Sequence, residues 1–149
     1  MKIINRKFHR EYEEIEKYEA GIVLTGAEVK SVKNGGLKLE DAYVKFLGED
    51  LFLINAQIAA YQYGKGINYD PKRSRKLLLK KSEIIRWGTK LKSARGLTIA
   101  PVSCYNKGSL IKIEIALVKS RNEIGKKKLE KRRDIEREEK REVKEYLKR

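Results

Sequence analysis

Residues 110–118 read LIKIEIALV. Ile111, Ile113, Ile115 and Leu117 fall at every second position, with Lys112, Glu114 and Ala116 between them. That period marks a strand with one face on a core and the other turned outward. Just upstream, residues 97–105 (LTIAPVSCY) form a second β-rich run, and Asn106-Lys107-Gly108 separates the two, so a hairpin is expected. Further back, 42–47 and 51–58 make another such pair around Gly48-Glu49-Asp50. Residues 10–24 read as a long strand ending in Ala20-Gly21-Ile22-Val23-Leu24. Two helices interrupt the strands. Thr25 and Glu28 stand three apart, a capping box for a short helix that should stop near Asn34-Gly35-Gly36. Residues 82–94 predict the second, with a break at Gly88 left open. A mainly β fold with short helices is therefore expected, closing over residues 1–118 as a small barrel, and oligonucleotide-binding folds are one such barrel.

Beyond Val118 the pattern changes. Residues 125–149 offer only Leu129, Ile135, Val143, Tyr146 and Leu147 as apolar positions among many Lys, Arg and Glu. Helix propensity is high, yet no continuous apolar stripe exists to bury. Residues 119–149 read as a basic tail that can be helical but has little to bury.

Charge divides the same way. The chain of 149 residues has a formal net charge of +15, but residues 1–71 are nearly neutral. Residues 72–95 hold ten Lys and Arg against the single acid Glu83, and the tail adds a net +6. Two basic blocks point to an anionic partner, nucleic acid or an acidic membrane surface. No apolar run is long enough to span a membrane, and MKIINRKFHREYEE has no signal-peptide core. One cysteine, Cys104, allows no internal disulfide. A cytoplasmic protein is expected.

Catalytic patterns are missing. One histidine, His9, and one cysteine cannot build the usual His/Cys metal site, and no phosphate-binding Gly-x-x-x-x-Gly-Lys-Ser/Thr loop occurs. Cys104 lies inside an apolar strand pattern and reads as a small packed hydrophobe. Glu11, Glu13, Glu14 and Glu16 fit an exposed strand face as well as an acid–base pair. No enzyme, metal or cofactor is expected.

Two stretches fit RNA. Residues 61–75 (YQYGKGINYDPKRSR) predict a long exposed loop in which Tyr61, Tyr63 and Tyr69 accompany cations. Rings that stack on splayed bases beside phosphate-holding cations suit RNA outside a regular duplex, although tyrosines could instead cover the barrel. In DPKRSRKLLLKK (70–81), six cations surround three leucines. If Leu77 and Leu79 point inward, Leu78 faces out between Lys76 and Lys80, against a base or over an apolar seam.

These blocks resemble a known family. NRK at 5–7, YEAGIVLTGAEVKS at 18–31, DPKRSRKLLLKKSEI at 70–84 and GKKKLEKR at 125–132 are similar, in order and spacing, to the tmRNA-binding proteins of bacterial trans-translation, the SsrA-binding proteins. The resemblance implies a non-enzymatic, monomeric protein without cofactor. It would bind the tRNA-like domain of tmRNA, assist its charging by alanyl-tRNA synthetase, and go with elongation factor Tu to stalled ribosomes. It also implies a small oligonucleotide-binding-type barrel and a tail that enters the decoding centre and the vacant messenger channel and is helical when bound. It places Glu19, Leu78 and Lys112 on the RNA-contacting surface, with Asn5, Arg6, Lys7, Arg73, Arg75 and Lys76 as further contacts. Lys126, Lys127, Leu129, Glu130, Lys131 and Arg132 become the ribosome-binding part of the tail. A carboxylate such as Glu19 can accept from a base amino group, which a phosphate-only site never needs.

This chain departs from that pattern in three places. The link VKSRNEIGKKK (118–128) is longer than usual. Leu129 and Glu130 stand where the family usually has an aromatic or His and then Asp, and Tyr69 stands where His is common. A ribosomal or ribosome-assembly protein bound to ribosomal RNA fits the charge map as well. A nuclease fits poorly, since no carboxylate cluster has metal spacing.

Overall fold

The computed structural model describes residues 1–63, 68–121 and 130–141. The 110–118 stretch lies within β9 (Leu110–Ser120), the partner of β8 (Leu97–Lys107) in a hairpin that turns at Gly108 with φ 62°. Ile111, Ile113, Ile115 and Leu117 are buried as the alternation requires. Ala116 and Val118, on the opposite face, are buried too. The reason is a short helix the sequence pattern did not reveal, α1 (Phe8–Glu11), whose Phe8 packs on Ala100, Ala116 and Val118.

Every strand pairing is antiparallel. β8 pairs with β9 along one edge; its other edge meets β1 (Lys2–Ile4) and, at Ile99, β4 (Tyr43–Leu47). From β4 the sheet passes to β5 (Asp50–Ile54), then β7 (Arg75–Leu78), then β2 (Tyr12–Ile22), which returns to β9. Six strands thus close a ring, and closure leaves no exposed sheet edge along it. The expected barrel is present. A two-stranded pair, β3 (Leu37–Lys38) with β6 (Gln57–Ile58), lies apart from it.

Two irregularities matter for side-chain direction. In β2 the register to β9 shifts between Glu14 and Glu16, so Ile15 is an extra residue and is left exposed. In β8 the shift lies between Pro101 and Ser103, where a proline cannot donate to the ladder.

Inside the ring sit Leu39, Leu51, Leu53, Leu77, Ile99, Ile113, Ile115 and Leu117, all essentially inaccessible. α2 (Gly26–Lys33) packs Val32 on this core and starts at the expected capping box: the Glu28 N–H donates to Thr25 Oγ1 and the Thr25 N–H to Glu28 Oε1. α3 (Lys81–Ser93) buries Trp87, edge-on to Tyr18 at 6.3 Å. It runs unbroken through Gly88. A Cβ there would make only an ordinary van der Waals contact with the Phe46 ring at 3.6 Å, so Gly88 marks no break and the packing does not demand a glycine. Residues 130–141 form a further helix, exposed along its length.

The 61–75 stretch is less free than its composition predicts. Among its described residues, Tyr63 is exposed, but Tyr69 and Arg75 turn inward to Glu28. Cys104 is buried among apolar side chains, and burial pushes its thiol up to about 12.

Candidate nucleic-acid interface

Register decides which side chains share the barrel's outer face. Leu78 of β7 pairs with Gly21 of β2, Gly21 with Lys112 of β9, Lys112 with Tyr105 of β8, and Tyr105 with Lys2 of β1. These five residues form one row across five strands. Leu77 is buried on the inner face and Leu78 is 53% exposed, so the leucine triplet splits as strand geometry requires.

Glu19 lies two residues before Gly21 and therefore on the same face. The Tyr105 hydroxyl donates to Glu19 Oε2, and Lys107 Nζ lies 3.4 Å from Oε1. The Tyr105 hydrogen bond first, then Lys107 and Lys112, hold the Glu19 carboxyl below its ordinary range against the opposing effect of desolvation. Burial, together with the Glu19 carboxylate, pushes the Tyr105 phenol up to about 12. The hydroxyl therefore stays protonated and donating, and the carboxylate stays ionised. Leu78, Glu19 and Lys112, which the resemblance grouped, do come together. Tyr105, Lys107 and Gly21 were missed, though counting back from a two-residue turn at Gly108-Ser109 sets Tyr105 opposite Lys112.

Much of the mid-chain basic block is spent on folding. Arg75 is fully buried, and its guanidinium donates to Glu28 Oε2 at 2.6 Å and to the carbonyls of Ala56 at 2.8 Å and Pro71 at 3.0 Å. Arg73 caps the other Glu28 oxygen, and the Tyr69 hydroxyl donates to Oε2. Burial works to raise the Glu28 pKa, but the Thr25 N–H and the two arginines outweigh it and leave the carboxyl at about 2. Arg86 and Lys90 of α3 grip Glu16 of β2, likewise held at about 2 by Arg86 first and Lys90 second. Lys76, exposed beside Leu78, lies 3.6 Å from Asp50. Lys72, Lys80, Lys81, Lys92 and Arg95 have no acidic partner among the described residues.

Two expected contacts are corrected. Arg75 cannot reach a ligand from its buried place; it organises the loop before β7. Asn5 is 3% exposed. Its Nδ2 donates to Pro101 O at 2.9 Å and its backbone N–H to Val102 O, filling the ladder gap at the β8 irregularity. Its Oδ1 accepts from the Lys7 N–H, which starts α1. Arg6 is exposed, and Lys7 lies 3.3 Å from Asp41.

In the tail, Glu130, Lys131 and Arg132 are exposed on the 130–141 helix, and Glu130 lies 2.9 Å from Arg10. Lys126, Lys127 and Leu129 lie outside the described residues. β9 runs past Val118, and Arg121 follows it onto α1: its N–H donates to Glu11 O at 2.9 Å and its Nε to His9 O at 3.1 Å. Among the described residues no helix is long and apolar enough to cross a membrane, and no group of His, Cys, Asp and Glu is disposed to hold a metal ion.

The family model described as SmpB protein matches residues 2–145. An SsrA-binding protein of Streptococcus pyogenes serotype M12 is 42% identical over 142 residues, covering 95% of this chain and 91% of that protein. One from Desulfitobacterium hafniense is 42% identical over 144 residues, 96% of this chain and 88% of its own. Among solved structures, a chain from "tmRNA-SmpB: a journey to the center of the bacterial ribosome" superposes with a TM-score of 0.66 at 37% identity, covering 82% of this chain and 85% of that one. With its barrel, its basic tail and the matched motifs in one order, the chain belongs to the SmpB family of SsrA-binding proteins.

Proposed function

We propose that this protein binds the tRNA-like domain of tmRNA and delivers it to stalled ribosomes for trans-translation. The tail takes the decoding centre and the empty messenger channel. Elongation factor Tu and alanyl-tRNA synthetase are partners through the RNA. The protein acts as a cytoplasmic monomer, by binding and with no chemical step of its own. The observation that carries this reading is the outer-face row: an exposed leucine, a fixed carboxylate and cations on one continuous surface. A site for bare phosphate would place no ionised acid at its centre, because like charges repel. Folded RNA with unstacked bases offers amino groups and ring faces as well as phosphates, which suits such a mixture.

The deciding experiment is to isolate the protein from its cells and sequence the RNA that accompanies it. tmRNA should dominate. Recovery of ribosomal RNA in proportion to all ribosomes would instead favour the ribosomal-component reading.

A further inference from the structure

Glu19 is the only acid that the described structure ties to Tyr105 and Lys107. On their shared outer face its pairing partner Glu114 is engaged by Lys17 at 3.5 Å. Its side chain is 37% exposed. Each carboxylate oxygen has two lone pairs, so the bonds from Tyr105 and Lys107 leave acceptor capacity on both. Beside it, Gly21 has no side chain, and Leu78 rests over it: a Cβ on Gly21 would sit 3.2 Å from Leu78 Cβ and 3.5 Å from Cδ1. Diagonal neighbours on adjacent strands are roughly 7–8 Å apart, so one ring can lie on Leu78 while its edge reaches Glu19.

We propose that Gly21, Tyr105 and Lys107 complete a nucleobase subsite with Leu78 and Glu19, which takes an unstacked base bearing an exocyclic amino group. The inference rests on the RNA-binding reading above and deepens it. Leu78 and the Gly21 backbone support the ring face. Glu19 accepts the amino hydrogen, an edge that uracil lacks. Tyr105 and Lys107 are positioning residues: they fix the carboxylate and touch no base themselves.

The test is a double-mutant cycle on binding of the full-length protein to a transcript of the tRNA-like domain. Y105F and E19Q should each lose about ten-fold in affinity, and the double variant should lose no more than E19Q. Affinity for unstructured polyuridylate should be unchanged in all three. In the free protein, the Glu19 carboxyl titration followed by NMR should move upward in Y105F, with Lys107, Lys112 and Glu114 as the other charges facing it. Wild-type affinity in Y105F, or losses that multiply, would overturn the subsite. A wild-type protein that ignores the transcript altogether overturns the functional reading instead. A second arm needs no Tyr105 variant. Single purine riboside, inosine or uridine replacements in the transcript should reveal one position that weakens wild-type binding and leaves E19Q binding unaltered. Absence of any such position also overturns the proposal.

Discussion

Leu78 and Glu19 carry no positive charge, which makes them the sharpest residues for asking what kind of surface this is. Leu78→Ala and Glu19→Ala should each weaken binding to tRNA-like RNA about ten-fold, with the salt dependence of binding unchanged. Lys112→Ala should instead lower both affinity and salt slope. Titrations at several salt concentrations separate the two behaviours, and full affinity in both uncharged variants would contradict a shaped surface. Arg75 makes the opposite case. Arg75→Met should destabilise the fold by about 3–5 kcal/mol, because it strands the buried Glu28 charge and two carbonyls. Urea unfolding measures this, and the molecules that stay folded should bind RNA normally. In the sequence, Arg75 and Lys76 look alike; only alternation along β7 sends one inward and the other out.

At the scale of elements, the tail and the barrel should prove separable. The 130–141 helix has no buried face: Ile135 is 47% exposed, Arg137 pairs with Asp134 within the helix itself, and the tie to the barrel is the exposed ion pair of Glu130 with Arg10 at 2.9 Å. Along 119–149, Glu136–Lys140 and Glu145–Arg149 attract at i,i+4, while Glu130–Asp134, Arg133–Arg137 and Glu138–Glu142 repel. At about 0.2–0.5 kcal/mol each, they nearly cancel, and nucleation stays costly. A peptide of residues 119–149 should show little helical circular dichroism in buffer and gain helix when phosphates neutralise its cations. Truncation after Arg121, which keeps the bonds to α1, should leave folding and RNA binding intact and abolish tagging of stalled chains. Loss of RNA binding in that variant would place the tail in the primary site. The elements most legible in sequence were those with a local cause, the 110–118 alternation and the Thr25–Glu28 capping box. β1 was not, since three residues give no period to read. Nor was the second duty of Glu28, whose partner Arg75 is 47 positions away and becomes a neighbour only when the barrel closes.

For the whole molecule, the acids of the nearly neutral N-terminal half hold the basic middle in place, so acid should loosen the structure. Glu28 and Glu16 have folded pKa values of about 2 against an ordinary 4.5. Each carboxylate is favoured by folding, so its contribution is complete above about pH 5 and drains away as the pH falls towards 2. For buried Glu28 this is on the order of 3 kcal/mol; for the partly exposed Glu16, solvent screening makes it smaller. Urea unfolding at pH 6 and pH 3 should show the loss, and equal stability at both would refute the assignment. The net charge of +15 adds to the effect, since protonating acids leaves the cations facing one another.

The closed ring also governs how the molecule opens. β8 bonds to β9 along its full length and to β1 and β4 on its other side, so its amides near Cys104 are hemmed in by neighbours on both edges. Deuterium should enter there only through global unfolding, while the two-residue β3–β6 pair and the exposed 130–141 helix exchange through small local openings. The Tyr105–Lys112 segment of the outer-face row should thus belong to the slowest-breathing part of the protein, and the 130–141 helix to the fastest. On the proposed function, the barrel would meet its partner with a surface already in shape, and the tail would take its shape from the channel it enters.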